Sequence, residues 1–405
     1  MDKSYSLLNY IQYIILLLAI ISIFSPVIVY IPFFLLFIIL QFISEYYDGK
    51  VSTSFIHLFL LIYSFLIIAS ISFLLNYKLS DNIQFVKLWL NLNFLLMGIL
   101  FIKKNYNNIN LKSLKYTLEL IICLSFIQIS LNVLIMNLLY LPIQGVDNSI
   151  IAYNIVIPNI YFGTTEKNIW ATKIAFIQII YITLYNLNII QTKKYKYNFL
   201  MLLMLFNIIY TFSRTAQLAF IISLIYFFYT SIRKNDNALK WTWKIFFLFI
   251  LIGVSSIIYN KLLHLNFETS DGMFARIELW MALYNNLDKI NWIWGNGVLY
   301  AKYLIANETQ WTNNNMHNVI LNTFVDFGLI GLFFYLSIIY KIFFDIKNSI
   351  INNLKLWALF IPFFIVINSQ YLGYDNDLVI YFILVYFIEI KSTKVLKKNN
   401  LIEEI

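Results

Sequence analysis

The chain has 405 residues, of which 61% are hydrophobic and 12% are charged, and its formal net charge is +9. Soluble domains carry about 25% charged residues, so this composition excludes an ordinary soluble protein and indicates a polytopic membrane protein. The apolar runs approach or exceed the roughly 18–20 residues that cross a bilayer, and they are continuous rather than alternating. We therefore predict an all-α membrane fold. Most of the basic residues lie between the apolar runs, so the +9 charge does not indicate nucleic acid as a partner.

In chain order, the apolar runs predict twelve transmembrane helices that form a single integral membrane domain over residues 1–405. The first run has no small-residue cleavage site and a second run follows it closely, so we interpret it as an uncleaved helix. The predicted spans are residues 7–24, 27–44, 55–75, 83–102, 116–140, 168–190, 198–212, 216–232, 244–260, 319–340, 355–372 and 376–390.

Basic residues follow every second predicted span from the fourth onward, and they predict the orientation. All of these clusters fall on one side, which also holds both termini, and the positive-inside rule makes that side the cytoplasm. The clusters are Lys103, Lys104, Lys112 and Lys115, then Lys193, Lys194 and Lys196, then Arg233, Lys234, Lys240 and Lys244, then Lys341, Lys347 and Lys355, and finally Lys391, Lys394, Lys397 and Lys398.

Arg214 lies in the middle of the apolar stretch 199–230. An arginine at membrane depth costs roughly 2.5–3.5 kcal/mol on insertion scales. Both flanks of the stretch are basic, so we predict a hairpin of two short helices whose turn holds Arg214 at the outer interface. Two interpretations of the side chain stay open: a charge that snorkels from a helix end, and a permanently ionised group that binds an anion such as phosphate.

The longest predicted outer loop covers residues 261–318, between the ninth and tenth spans. A loop of that length is usually functional or forms a small domain. It contains Arg276 within a predicted interfacial helix, and Gly295-Asn296-Gly297 as a predicted turn. It ends at His317, at the mouth of the tenth span, where an imidazole can exchange protons near neutral pH.

The remaining ionisable residues give weaker signals. His57 is predicted to be interfacial, and Asp375 and Asp377 are predicted to be solvated in the last outer loop, although either could supply a carboxylate base. Asp326 follows His317 by nine residues, on the opposite face of a continuous helix, so we do not expect it to orient the imidazole. Because the histidines are scattered and no cluster has ligand spacing, we expect no metal and no other cofactor.

Taken together, these motifs resemble the O-antigen polymerase and O-antigen ligase family. Twelve helices with a large periplasmic loop between the ninth and tenth, a GT-C-like glycosyltransferase architecture, are also typical of that family. The motifs are Ser213-Arg214-Thr215 in a membrane hairpin, Arg276-x-x-x-Trp280, Gly295-x-Gly297, and His317-Asn318 followed by Asp326-x-Gly328-x-x-Gly331.

The resemblance implies a metal-independent, inverting glycosyltransferase at the periplasmic face of the bacterial inner membrane. Its donor and acceptor would be oligosaccharides linked to undecaprenyl pyrophosphate, and its other partners would be membrane lipid and a chain-length regulator. By the same resemblance, Arg214 and Arg276 would bind the pyrophosphate, and His317 would be the general base.

Three functions stay open from the sequence. A polymerase would extend a lipid-linked chain, and we favour it because the aromatic, Ile/Asn-rich composition resembles surface-polysaccharide gene products. A ligase would transfer the finished glycan to lipid A-core. A flippase or transporter of lipid-linked sugars would have internal repeats and short loops on both sides, and the single long outer loop argues against it.

Overall fold

A computed structural model describes most of the chain. All regular structure within the described residues is helical, which confirms the predicted all-α class. The described residues are 3–24, 27–48, 53–138, 167–211, 213–234, 272–309, 315–344, 355–368 and 372–403.

The helices are numbered in chain order. A six-residue π-helical turn, Lys355–Phe360, leads into the twelfth of them. They are α1 (Lys3–Ser22), α2 (Val27–Asp48), α3 (Thr53–Leu75), α4 (Asn82–Asn105), α5 (Leu111–Leu138), α6 (Lys167–Asn186), α7 (Lys194–Tyr210), α8 (Arg214–Lys234), α9 (Gly272–Asn285), α10 (Tyr300–Glu308), α11 (Val319–Phe343), α12 (Ile361–Ile367) and α13 (Asn376–Glu403).

Each predicted span that falls within the described residues coincides with a helical segment. The predicted ninth span, 244–260, lies outside them, as does the first part of the long loop. The total of twelve spans and the position of the loop therefore stay predictions.

By length and composition, five helical segments in the described part of the chain could cross a membrane, and three further apolar helices are shorter. The chain is therefore a multi-pass membrane protein. The five segments are Val29–Tyr46, Ile56–Leu75, Asn82–Asn105, Leu111–Leu131 and Val319–Phe343, and the shorter ones are Leu7–Ser22, Arg214–Phe227 and Leu356–Ile367.

The bundle carries apolar side chains on its surface and polar pairs inside. On α2, for example, Ile39 and Phe42 are 53% and 52% exposed, as suits side chains that face lipid. Gln41, on the same helix, is fully buried and accepts a hydrogen bond from Gln12 of α1 at 3.1 Å. Such pairs satisfy amide groups that would otherwise be buried without partners.

One end of the bundle is called the lysine end because ion pairs between helix termini define it. Lys104 in the last turn of α4 pairs with Glu45 near the end of α2, with an N–O distance of 2.6 Å. Lys196 in the first turn of α7 pairs with Glu119 of α5, also at 2.6 Å. These pairings agree with the alternating helix directions predicted from the basic clusters.

The opposite end is called the histidine end because His317 lies there. The Ser72 hydroxyl, in the last turn of α3, donates to the carbonyl oxygen of Asp326 in α11 at 2.6 Å. The Asp81 N–H, just before α4, donates to the carbonyl oxygen of Val298 at 3.0 Å. The C-terminal end of α3, the N-terminal ends of α4 and α11 and the Gly-rich turn therefore meet at this end.

Candidate functional site at the histidine end

The hairpin predicted around Arg214 is confirmed. α7 begins at the lysine end and ends at Tyr210, so α8 begins at the histidine end with Arg214 as its first residue. The Gln217 side-chain amide donates to the carbonyl oxygen of Ile209 at 3.1 Å, which ties the first turn of α8 to the last turn of α7. Arg214 is exposed.

The turn that carries His317 is held by asparagine side chains. The His317 N–H donates to Asn315 Oδ1 at 2.9 Å, and Asn318 Oδ1 accepts from the Leu321 N–H at 3.1 Å as the N-cap of α11. His317 has φ +52°, a left-handed conformation that is uncommon outside glycine and that occurs at functional sites. The Asn-rich segment therefore fixes an unusual backbone at the entrance to α11.

Arg276 lies on a helix that contacts this turn. The Trp280 indole N–H of α9 donates to the carbonyl oxygen of Met316, the residue before His317, at 2.9 Å. Arg276 precedes Trp280 by four residues, so the two side chains share one face of α9, about 5–6 Å apart at Cβ. The Arg276-x-x-x-Trp280 motif thus places Arg276, which is half-buried, on the face of α9 whose tryptophan contacts the His317 turn.

The three predicted site residues therefore share one end of the bundle. Direct contacts join the helix of Arg276 to the turn of His317. None of these contacts involves Arg214, which is assigned to the same end by the direction of α7 and α8. A common site for the three side chains stays a prediction.

The two glycine motifs form one junction farther along α11. Gly328 interrupts α11 with φ +69° and ψ −171°, a region that is essentially restricted to glycine. A Cβ on Gly328 would meet the carbonyl oxygen of Ile293, and one on Gly295 would meet the carbonyl oxygen of Asp326. The turn predicted at Gly295-x-Gly297 is confirmed, and it packs backbone against backbone on the kink of α11.

Asp326 completes the junction through its side chain. It is 1% exposed, and its Oδ2 accepts the N–H of Leu299 at 3.1 Å at the start of α10. Leu299 is the N-cap of α10, and its side chain has no oxygen that could accept a hydrogen bond from the N–H groups at the start of the helix. The Asp326 carboxylate takes that role from a distant part of the chain. The Asp326 side chain bonds to the start of α10, in agreement with the expectation that it does not orient His317. That expectation assumed a continuous helix, whereas α11 is kinked at Gly328.

Gly328→Ala is expected to lower the melting temperature and the activity together. Left-handed strain of roughly 1–3 kcal/mol adds to the clash with Ile293, and both act within α11, the helix that begins just after His317. Thermal unfolding of the purified protein measures the effect. Gly98→Ala in α4 is the matched control, because its new Cβ would meet side-chain atoms of Ile383 and no backbone, and it would carry no left-handed strain. Equal melting temperatures for the two variants would contradict the role of the junction.

Sequence reasoning missed a group of buried charges at this end. Lys87 Nζ of α4 pairs with Asp375 Oδ1 at 2.7 Å, and the two side chains are 16% and 17% exposed. Lys173 of α6 donates to the carbonyl oxygen of Ile23 at 2.5 Å, and Asp377 is 2% exposed. The prediction that Asp375 and Asp377 are solvated is wrong, because the start of α13 packs against α4 and α6.

The signal for these residues was available in the sequence. Lys87 and Lys173 each lie within a predicted apolar span, which is the criterion that drew attention to Arg214. Charged groups inside a membrane segment pair with one another or serve a function. The distance in sequence between Lys87 and Asp375 is the reason that the pairing itself was not predictable.

Lys87→Ala is expected to destabilise the protein by roughly 3–5 kcal/mol, because it leaves the Asp375 carboxylate buried without its cation. Lys87→Ala combined with Asp375→Ala is expected to recover much of that loss. Denaturant-dependent unfolding in detergent compares the single and double variants. A double variant no more stable than the single one would show that the pair is not energetically coupled.

A surface ion pair stabilises the loop between α9 and α10. Lys289 Nζ lies 3.0 Å from Glu308 Oε1, and this hydrogen bond raises the pKa of Lys289 and lowers that of Glu308. Both groups are exposed to solvent, so the pair is weak. It nevertheless joins the turn before Ile290 to the end of α10.

Comparison with known protein families gives one match. Residues 199–336, about a third of the chain, match a family model described as O-antigen ligase. The matched segment contains Arg214, Arg276, His317 and both glycine motifs. The resemblance inferred from those motifs is therefore confirmed, and members of the matched family are glycosyltransferase-like enzymes. A comparison with curated proteins finds no match.

Proposed function

We propose that this chain is a surface-polysaccharide polymerase of the O-antigen type. It transfers a growing glycan from undecaprenyl pyrophosphate to the nonreducing end of a lipid-linked repeat unit. The observation that carries the proposal is the gathering of Arg214, the helix of Arg276 and the His317 turn at the end opposite the lysine-rich one, all within the matched segment. The lysine end faces the cytoplasm, and the histidine end faces the periplasm.

The two arginines act on the leaving group. The bond between the sugar C1 and the pyrophosphate oxygen breaks, and negative charge develops on that oxygen. Guanidinium groups are always ionised and bind phosphate oxygens in pairs, so they can stabilise this charge without a divalent metal. Arg214 is suited to this role because it is exposed at the first turn of α8, where the helix dipole also favours an anion.

His317 acts on the acceptor. A sugar hydroxyl is a poor nucleophile until a base removes its proton, and a neutral imidazole is the side chain best suited to that step near pH 7. The hydroxyl oxygen attacks C1 from the face opposite the pyrophosphate while its proton passes to His317. The new C1–O bond therefore has the inverted anomeric configuration, and the lipid pyrophosphate leaves.

A ligase that transfers the glycan to lipid A-core is the second candidate, because the matched family model carries that description. The two enzymes share donor and chemistry and differ in acceptor. A lipid-linked sugar flippase is the candidate from another class. A chain-length regulator is a proposed partner of the polymerase.

A deletion strain with its lipopolysaccharide and lipid-linked glycans analysed separates these functions. The polymerase predicts lipid A-core that carries single repeat units. The ligase predicts bare core together with accumulated lipid-linked polymer. Accumulation of single repeat units on the cytoplasmic leaflet would overturn both transferase functions and support a flippase.

A further inference from the structure

Three lysine side chains surround one tyrosine ring at the lysine end. The ring belongs to Tyr116, in the second turn of α5, and it is exposed. The Nζ atoms of Lys112, Lys115 and Lys196 lie 5.9, 5.1 and 5.7 Å from the centroid of this ring. Attraction between each ammonium group and the ring holds the three charges near one another despite their mutual repulsion. These four residues form the lysine–tyrosine patch, which concentrates positive charge where the first turns of α5 and α7 meet.

Two of the three lysines are anchored by contacts with the protein. Lys115 Nζ donates to the carbonyl oxygen of Gln191 at 3.1 Å. Lys196 Nζ pairs with Glu119 Oε2 at 2.6 Å, and that carboxylate is 7% exposed. An ammonium group has three N–H donors, so each of these lysines can donate to a bound anion as well. The contacts therefore fix the ammonium groups in place without using all of their donors.

An apolar stripe leads away from the patch on each of the two helices. On α5, the exposed side chains of Leu120 and Ile127 follow Tyr116 at intervals of four and seven residues, which places all three on one face. On α7, Phe199 and Leu202 are exposed in the second and third turns. Both helices begin at the lysine end, so both stripes run from the patch toward the middle of the bilayer.

The charge around the patch is complementary to an anion. Residues 111–120 and 191–197 together contain five lysines and one carboxylate. An acidic peptide would neutralise the lysines but would leave both stripes unused, because they lie at hydrocarbon depth. A polyprenyl phosphate has a single hydrocarbon chain for the two stripes. A phospholipid has one phosphate and two acyl chains, so it matches the patch and both stripes.

We propose that the lysine–tyrosine patch binds an anionic phospholipid of the leaflet at the lysine end. The lipid phosphate accepts hydrogen bonds from Lys112 and Lys115, and the two acyl chains lie along the stripes of α5 and α7. Clustered basic residues next to a membrane span are the usual sites for anionic headgroups. The inference does not depend on the glycosyltransferase reaction.

Native mass spectrometry of the full-length protein in detergent tests this site, with phosphatidylglycerol and phosphatidylcholine as probes. Phosphatidylglycerol is expected to bind more tightly. Lys112→Gln and Lys115→Gln are each expected to weaken phosphatidylglycerol binding about fivefold, the contribution of one lysine near a membrane surface. Lys391→Gln is the matched control, because Lys391 also lies over a ring at this end, 5.9 Å from the centroid of Tyr106, but outside the patch. It is expected to leave the binding unchanged.

A further variant tests the acyl chains separately from the charge. Leu120→Asn changes no charge, and it is expected to weaken the binding of both phospholipids. Size-exclusion profiles establish that each variant is folded. Undecaprenyl phosphate and hexaglutamate serve as competitors, and neither is expected to displace phosphatidylglycerol at equal concentration.

Four results would each overturn the proposal. They are equal affinity of the wild type for the two phospholipids, an equal loss of binding in the Lys391→Gln control, unchanged binding by the patch variants or by Leu120→Asn, and displacement of phosphatidylglycerol by either competitor. Displacement by hexaglutamate would assign the patch to an acidic protein partner instead, and displacement by undecaprenyl phosphate would assign it to a polyprenyl lipid.

Discussion

Replacing His317 with alanine is expected to lower the rate of glycosyl transfer by about 10²–10⁴-fold, the contribution of a positioned general base. The acceptor hydroxyl would then have no group to take its proton, while pyrophosphate binding by the arginines would persist. Cells with this variant should lose the polymer ladder and keep a normal amount of the protein in the membrane. The measurement is the chain-length distribution of surface polysaccharide together with the level of tagged protein.

His57→Ala is the matched control for this substitution. His57 is an exposed histidine in the first turns of α3, at the lysine end, and its replacement should leave the ladder unchanged. A normal ladder from His317→Ala cells would reject the general-base role. Loss of the ladder in both variants would show that the assay responds to any missing histidine.

Replacing Arg214 or Arg276 with alanine is expected to cost about 10²–10³-fold in rate, the effect of removing one group that stabilises developing charge. Lysine at either position should restore only part of the activity, because an ammonium cannot bind two phosphate oxygens in the planar geometry of a guanidinium. Polymer formation in cells and turnover of purified protein on lipid-linked repeat units both measure this loss.

Arg233→Ala provides the control for the arginine series. Arg233 is the third arginine of the chain, and it lies near the other end of α8 from Arg214. The same change of charge on the same helix should therefore leave the rate nearly unaffected. An equal loss of rate in Arg214→Ala and Arg233→Ala would mean that α8 needs positive charge in general rather than a phosphate ligand at its first turn.

Local chemistry made part of this site predictable from sequence. The hairpin at Arg214 follows from basic residues on both sides of one apolar stretch, and the turn at Gly295 follows from two closely spaced glycines. His317 was expected at the mouth of the tenth span, and the asparagines that hold its backbone there are its immediate neighbours. In each case the residues that determine the backbone lie within a few positions of the feature.

Contacts between distant segments were not predictable in this way. The turn at Gly295 was expected, but its packing on the Gly328 kink depends on α11 and the loop meeting in space. Asp375 was expected in solvent because its neighbours in sequence form a loop, whereas its partner Lys87 lies on α4. The fold, and not the neighbours of Asp375 in sequence, determined its burial.

The most direct test of one shared site is thiol cross-linking between its members. In a Cys123→Ser background, cysteine pairs are made from Arg214→Cys and His317→Cys, and from Arg276→Cys and His317→Cys. A bifunctional reagent much shorter than α8 should link both pairs, and it should fail to link Arg233→Cys to His317→Cys. A link between positions 233 and 317, or none between 214 and 317 in folded protein, would contradict a common pyrophosphate site.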